Sequence, residues 1–422
     1  MRRTAVAASF GVALFLAACS LPWVGLWKAG GVADTGLYGL YGSHMAHGLV
    51  PYRDFFVEFP PGALAALVLP ALPHSHYVVW FHVFEFLCGA ATIVLLAAIL
   101  VRLETSRARL YGAVALSAVA PAVLGPISLN SFDYWPALLT TAAVAALVAH
   151  RHSTGFALLG AATAAKLFPA VLLAVALLFT LRRAGRDEWR RPLLVYLGTV
   201  VLVFAPFAIL GPGGLRFSLR TQLARGLQLE SLGASLLAAA HHLGLYRPSY
   251  TPNLAYAQLA GPAATAAAAA STVVMLAAIA LVAWLFWKTP AREAELVLAA
   301  AATVAGILAF AKVLSPQYLL WLVPLAAAAA ALTTWSVPVL LLLTLGLTQV
   351  WVPDRFRELQ AMGGVTWILL ARDLVLVSLF ALLAAQLRAR TVAGEPAEPR
   401  RVRAPARPWR RTARPPSRDR TA

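Results

Sequence analysis

Charge is scarce in this chain, and what there is leans one way. Only 12% of its 422 residues are charged, with 17 Asp and Glu set against 35 Lys and Arg. A soluble domain carries roughly 25% charged residues, so a water-exposed globule is excluded. Cysteine is almost missing. Cys19 and Cys88 both fall within apolar runs, which removes a disulfide framework. No Walker sequence, glycine-rich dinucleotide turn or Cys/His cluster occurs, so no bound nucleotide or other cofactor is expected. His74, His76 and His82 lack ligand spacing, and the neighbours His241 and His242 would point apart on a helix; no metal site is expected.

What is abundant is apolar. The composition is 60% hydrophobic with a mean hydropathy of +0.75, which leaves a polytopic, all-α membrane protein. Crossing about 30 Å of hydrocarbon takes roughly 20 residues. Ten runs qualify: 5–27, 77–101, 110–126, 133–149, 192–210, 263–287, 295–312, 318–334, 336–352 and 366–388. Leu16-Ala17-Ala18-Cys19 resembles a lipoprotein cleavage box, but Leu21-Pro22-Trp23-Val24 continues the apolar run, so an uncleaved first helix is expected.

The stretch 154–181 is an eleventh apolar run, broken by Lys166 and Pro169. The short links 102–109, 150–153, 182–191 and 288–294 all carry Arg or Lys, and basic short loops stay cytoplasmic. The two links flanking 154–181 share a side only if the run enters and returns, with Lys166 at its apex. The competing reading is a kinked full span whose lysine snorkels. With a hairpin, both termini are cytoplasmic and 24 of the 35 basic residues lie on that side.

Residues 1–388 thus form the membrane domain. The tail 389–422 is Pro- and Arg-rich without apolar periodicity, and is expected to be a disordered cytoplasmic segment that meets anionic lipid. It brings no aromatic platform or folded module, so nucleic acid is not an expected partner.

Two connections are too long for turns, and both fall outside: 28–76 and 211–262. The first holds Asp34, Tyr38, Tyr41, Arg53, Asp54 and Glu58; the second holds Arg225, Gln228 and Glu230. Aromatic faces beside carboxylates suit a sugar, whose rings stack and whose hydroxyls donate. Asp34 can act as a general base on an acceptor hydroxyl, or simply cap a helix begun by Thr35-Gly36. Asp54 beside Arg53 can serve structure as well as function. Glu58 precedes Phe59-Pro60-Pro61, a stiff extended step that holds a carboxylate in place. Lys166, Arg225 and Lys312 are natural partners for a phosphate, although Lys312 also fits a cation at a helix C-terminus. On an outer face without nucleotide sugars, a lipid-phosphate donor is the sensible substrate.

The ordered segments Asp34…Tyr41…Gly48-Leu49-Val50-Pro51-Tyr52-Arg53-Asp54-Phe55…Glu58-Phe59-Pro60-Pro61, Ala165-Lys166-Leu167-Phe168-Pro169, Arg225-Gly226-Leu227-Gln228-Leu229-Glu230-Ser231 and Lys312-Val313-Leu314-Ser315-Pro316-Gln317-Tyr318 resemble glycosyltransferase family 87 of the GT-C superfamily. The resemblance implies an inverting, plasma-membrane transferase. Its donor would be a polyprenyl-phosphate sugar, with mannose favoured and arabinofuranose also represented, and its acceptor a lipid or glycan hydroxyl. It places the base on an acidic residue of the first external loop, which maps onto Asp34. Tyr38, Tyr41, Arg53, Asp54 and Glu58 would then position sugar, and Lys166, Arg225 and Lys312 would hold the phosphate. A transporter or flippase of a lipid-linked sugar is the alternative, since it too uses embedded charge and broken helices.

Overall fold

The computed structural model of the chain describes residues 2–21, 34–185, 188–250, 257–352 and 354–393. Within them are seventeen α-helices and one pair of two-residue strands. In chain order the helices are α1 (Arg2–Ser20), α2 (Thr35–Ala46), α3 (Leu64–Val68), α4 (Tyr77–Arg102), α5 (Arg107–Leu124), α6 (Tyr134–Val148), α7 (His152–Ala165), α8 (Leu172–Ala184) and α9 (Arg190–Leu210). They continue with α10 (Pro212–Leu223), α11 (Leu232–His242), α12 (Pro262–Lys288), α13 (Glu293–Phe310), α14 (Leu319–Leu332), α15 (Ser336–Trp351), α16 (Phe356–Gln360) and α17 (Thr366–Ala393). Strands β1 (Leu227–Gln228) and β2 (Gln258–Leu259) pair antiparallel in the second long connection.

The helices alternate in direction because their basic ends share one face. Arginines there donate to the last carbonyls of neighbouring helices, the groups a helix leaves without internal partners. Arg102 Nε donates to Val148 O at 2.8 Å, Arg182 to Phe286 O at 3.0 Å, Arg109 to Ala331 O at 3.3 Å and Arg390 to Leu332 O at 2.8 Å. Arg3 reaches Thr105 O on the same face, and Arg390 pairs with Glu295 at 2.9 Å. The start of α1 and the end of α17 therefore lie on the same face. Long loops and the cavity described below occupy the opposite face.

Residues 152–184 fold back on themselves. His152 Nδ1 lies 3.1 Å from Thr180 Oγ1, and Glu293 meets both His150, at 2.9 Å, and Arg183, at 2.7 Å. α7 thus begins, and α8 ends, on the basic face. The turn is built by Lys166, which leaves the helix at φ −157°, ψ 135°, and by a 3-10 turn over Phe168–Val171 opened by Pro169. At about 1.5 Å per residue, the 14-residue α7 rises roughly 21 Å.

All ten expected runs are helical, in two classes of length. Among the described residues seven helices are long and apolar enough to cross: α1, α4, α5, α9, α12, α13 and α17. The runs 133–149, 318–334 and 336–352 instead give helices of 15, 14 and 16 residues. Each matches its run to within two residues, and irregular backbone precedes the first two, around Asp133 and around the 3-10 turn Pro316–Tyr318. Such backbone is tolerated at depth only where protein or water satisfies it. The expected first span 5–27 is helical to Ser20, and its remainder lies outside the described residues, as does the tail from 394 onward.

Alanine plays two parts. In α13 and α14 the alanine runs are buried, where small side chains let backbones approach closely. In α12 most of the run Ala263–Ala270 faces outward, as does most of α9. The buried carboxylate of Glu85 in α4 accepts from Tyr134 N at 3.0 Å, capping α6 from a neighbouring helix.

Candidate active site

The first long connection is held against the hairpin by close backbone contact. Pro60 is extended at φ −63°, ψ 156°, and Pro61 starts a 3-10 turn, the stiff step expected after Glu58. Gly62 follows, packed so tightly on α7 that an added Cβ would sit 2.5 Å from Ala164 C and Ala165 N. Trp135 Nε1 donates to Gly62 O at 3.0 Å and ties the same point to α6. Glu58 is thereby set beside Lys166 on one cavity wall.

That cavity has a volume of about 660 Å³, large enough for a glycosyl phosphate and part of an acceptor. Asp34, Tyr38 and Glu58 line it from the first connection, Lys166 from the hairpin apex, and Arg225, Gln228 and Glu230 from the second connection. Residues more than 190 positions apart in sequence meet here.

Asp34 sits just before α2 with helical φ −71°, ψ −2°, and its side chain makes no capping hydrogen bond. Its Oδ2 accepts instead from the Tyr38 hydroxyl at 3.2 Å. Capping does not account for this carboxylate. Burial pushes its pKa up; the Tyr38 hydrogen bond opposes that, the Asp133 charge adds to it and Lys166 opposes it. Glu58 is likewise raised by burial, against the pull of Arg225, whose guanidinium is 4.0 Å away. Gln222 donates to Glu58 O at 2.7 Å and fixes the backbone there.

Lys166 stands in a box of rings and one carboxylate. Its Nζ donates to Asp133 Oδ1 at 2.6 Å and lies 4.7, 4.5 and 5.0 Å from the ring centroids of Phe132, Tyr318 and Trp321. Trp321 Nε1 donates to the same Asp133 oxygen at 2.7 Å. Phe168 stacks on Trp321 with centroids 3.8 Å apart, so both sides of the Lys166 turn are clamped. Asp133 opens the run 133–149 and was not among the expected site residues. The one signal available was a lone acid opening an apolar segment, where a carboxylate left unpaired is costly.

The remaining expected residues fall elsewhere. Tyr41 is buried behind the cavity against Phe55 and Phe59. Arg53 and Asp54 pair with one another at 2.8 Å, and Asp54 also accepts from Val50 N at 2.7 Å, closing a surface turn away from the cavity. That pairing lowers the Asp54 carboxyl to about 2. Lys312 is partly exposed, with Nζ 3.4 Å from Leu223 O, and does not line the cavity, although Val313 and Ser315 do. Its backbone carbonyl accepts from Gln228 N at 2.9 Å.

Gln228 and Glu230 were noted in sequence only as members of a long loop. Their place is set from behind by α17. The buried Arg372 pairs with Asp373 at 2.9 Å, lies 5.6 Å from the Trp351 ring and donates to Glu230 O at 2.7 Å. Adjacent opposite charges inside the run 366–388 were the sequence sign of this brace.

The arrangement offers two raised carboxyls, flanking cations and aromatic faces in one semi-enclosed volume. That suits proton removal from a hydroxyl beside an anionic leaving group. Comparison with curated proteins gives no match. The model of glycosyltransferase family 87 matches residues 56–316, more than half of the chain and including Glu58, Lys166, Arg225 and Lys312. The chain belongs to glycosyltransferase family 87.

Proposed function

We propose that this membrane glycosyltransferase moves a sugar, mannose by preference, from a polyprenyl phosphate to a lipid or glycan hydroxyl on the outer face. The observation that carries the reading is the meeting of Asp34, Glu58, Lys166 and Arg225 in one cavity on the face opposite the basic helix ends. Basic residues favour the cytoplasmic side, so the cavity faces out and both ends of the described chain face in. The hairpin of α7 and α8 is then re-entrant, bringing Lys166 into the membrane from within.

Asp34 takes the proton of the acceptor hydroxyl as its oxygen bonds to the anomeric carbon. The bond from that carbon to the phosphate oxygen breaks on the opposite side, and polyprenyl phosphate leaves with the electron pair. Inversion at the anomeric carbon follows. Arg225 and Lys166 stabilise the departing charge, a task worth more in a cavity screened from bulk water. One N–H of Lys166 is committed to Asp133, which leaves two for phosphate oxygens. Tyr38 aligns the Asp34 carboxylate, and Glu58 accepts from sugar hydroxyls.

Purified protein in nanodiscs, given radiolabelled polyprenyl-phosphate mannose and a membrane lipid extract, tests this. New glycosidic linkages that vanish in Lys166→Glu support it. Movement of the labelled lipid between leaflets without a new linkage would identify a flippase instead.

A further inference from the structure

The cavity has a second polar corner that the transfer chemistry leaves unused. Gln228 and Glu230 both line it, and both residues are 5% exposed. Among the described residues, Gln228 Oε1 and Glu230 Oε2 have no hydrogen-bond partner. Two buried acceptors without donors are costly, about 1–3 kcal/mol each by general measure, unless something else supplies the donors.

The corner is nevertheless built with care. Gln228 Nε2 donates to Ser315 Oγ at 2.9 Å. Strand pairing fixes this stretch through Leu227↔Leu259 and Gln228↔Gln258, and Leu229 N donates to Ala257 O at 2.9 Å. Arg372, fully buried in an apolar helix, holds the Glu230 carbonyl. Ionisable groups within membrane helices are costly and mark functional machinery. Burial raises the Glu230 carboxyl to about 7, so it can either donate or accept near neutrality.

The geometry points to Gln228 and Glu230 as a hydroxyl-reading subsite, in which Glu230 binds the ring hydroxyls of a sugar held in the cavity. This inference rests on the proposed transfer reaction and deepens it. The matching chemistry is a set of neighbouring hydroxyls, supplied either by the donor sugar or by a glycan acceptor. A carboxyl bridging two hydroxyls discriminates strongly, because a ligand lacking them leaves it desolvated and unpaired.

The test is equilibrium binding to the intact protein in nanodiscs, with polyprenyl-phosphate mannose, bare polyprenyl phosphate and methyl α-mannoside as probes. The wild type should prefer the glycosylated lipid. Glu230→Ala should cut that preference about tenfold, the scale of one lost hydrogen bond to a charged group, while binding of bare polyprenyl phosphate stays unchanged. Glu230→Gln should restore part of it, which a purely structural defect would not allow. Loss confined to methyl α-mannoside would assign the subsite to the acceptor. If Glu230→Ala binds all three probes as the wild type does, the subsite is refuted while the transferase reading stands. If the wild type binds neither lipid, the donor assignment fails, and this inference fails with it.

Discussion

Lys166 Nζ and Asp133 Oδ1 lie 2.6 Å apart, joining the apex of a helical hairpin to the first turn of a helix 33 residues earlier. Asp133 is 1% exposed and Lys166 16%, so the pair is largely withdrawn from water. Trp321 Nε1 shares the same oxygen, and three elements converge on one carboxylate. The pair sets where the cationic wall of the cavity stands.

Removing one member of such a pair strands the other. Asp133→Leu should destabilise the protein by about 3–5 kcal/mol, read as a lowered Tm in detergent. The double variant Asp133→Leu with Lys166→Met should regain most of that loss, because packed apolar groups replace a buried pair at little cost. Transfer activity should not return with it. Activity in the stable double variant would show that Lys166 serves structure alone.

Backbone proximity at Gly62 makes a second prediction. A methyl group there meets the Ala164 and Ala165 backbone, which cannot yield as a side chain can. Gly62→Ala should push the first connection away from the hairpin and cost about 1–3 kcal/mol. Because Glu58 is only four residues away, sugar transfer should fall more steeply than Tm. A variant with wild-type activity would mean that this contact does not position Glu58.

Much of this arrangement was legible in sequence, and the illegible part has a physical cause. The hairpin could be read because basic residues flank 154–181 on both sides, and charge sidedness acts over short loops. Asp34, Glu58 and Arg225 stood out as charges in patterned loops. Asp133 did not, because its partners Lys166 and Trp321 lie 33 and 188 residues away and only packing brings them together. Adjacency left Arg53 and Asp54 open between structure and function, and the side chains close on each other at the surface. Hydropathy placed the helices at 133–149 and 318–334 to within two residues, but it does not report the irregular backbone that precedes them.

That surface pair gives a contrast. Asp54→Asn should leave transfer within about twofold of wild type, as exposed ion pairs contribute little. Loss of activity on the scale of Asp34→Asn would place Asp54 in the reaction after all.

Acidity offers a further check. Glu230 ordinarily ionises near 4.5 and is raised to about 7 by burial. The folded state therefore holds its proton where the unfolded chain has released it, and stability falls as pH rises from about 4.5 to 7. Glu230→Gln should flatten that decline, by at most about 3 kcal/mol. An unchanged pH profile of unfolding would show that Glu230 ionises normally.

The role of Asp34 is the centre of the account, and turnover of Asp34→Asn in nanodiscs tests it most directly. With polyprenyl-phosphate mannose as donor, the variant should bind donor as the wild type does and lose at least about a hundredfold in transfer, the low end of general-base contributions. In the wild type the rate should rise with pH through a value above the ordinary aspartate range, since burial raises this carboxyl. A well-folded Asp34→Asn protein that transfers sugar at the wild-type rate would contradict the assignment.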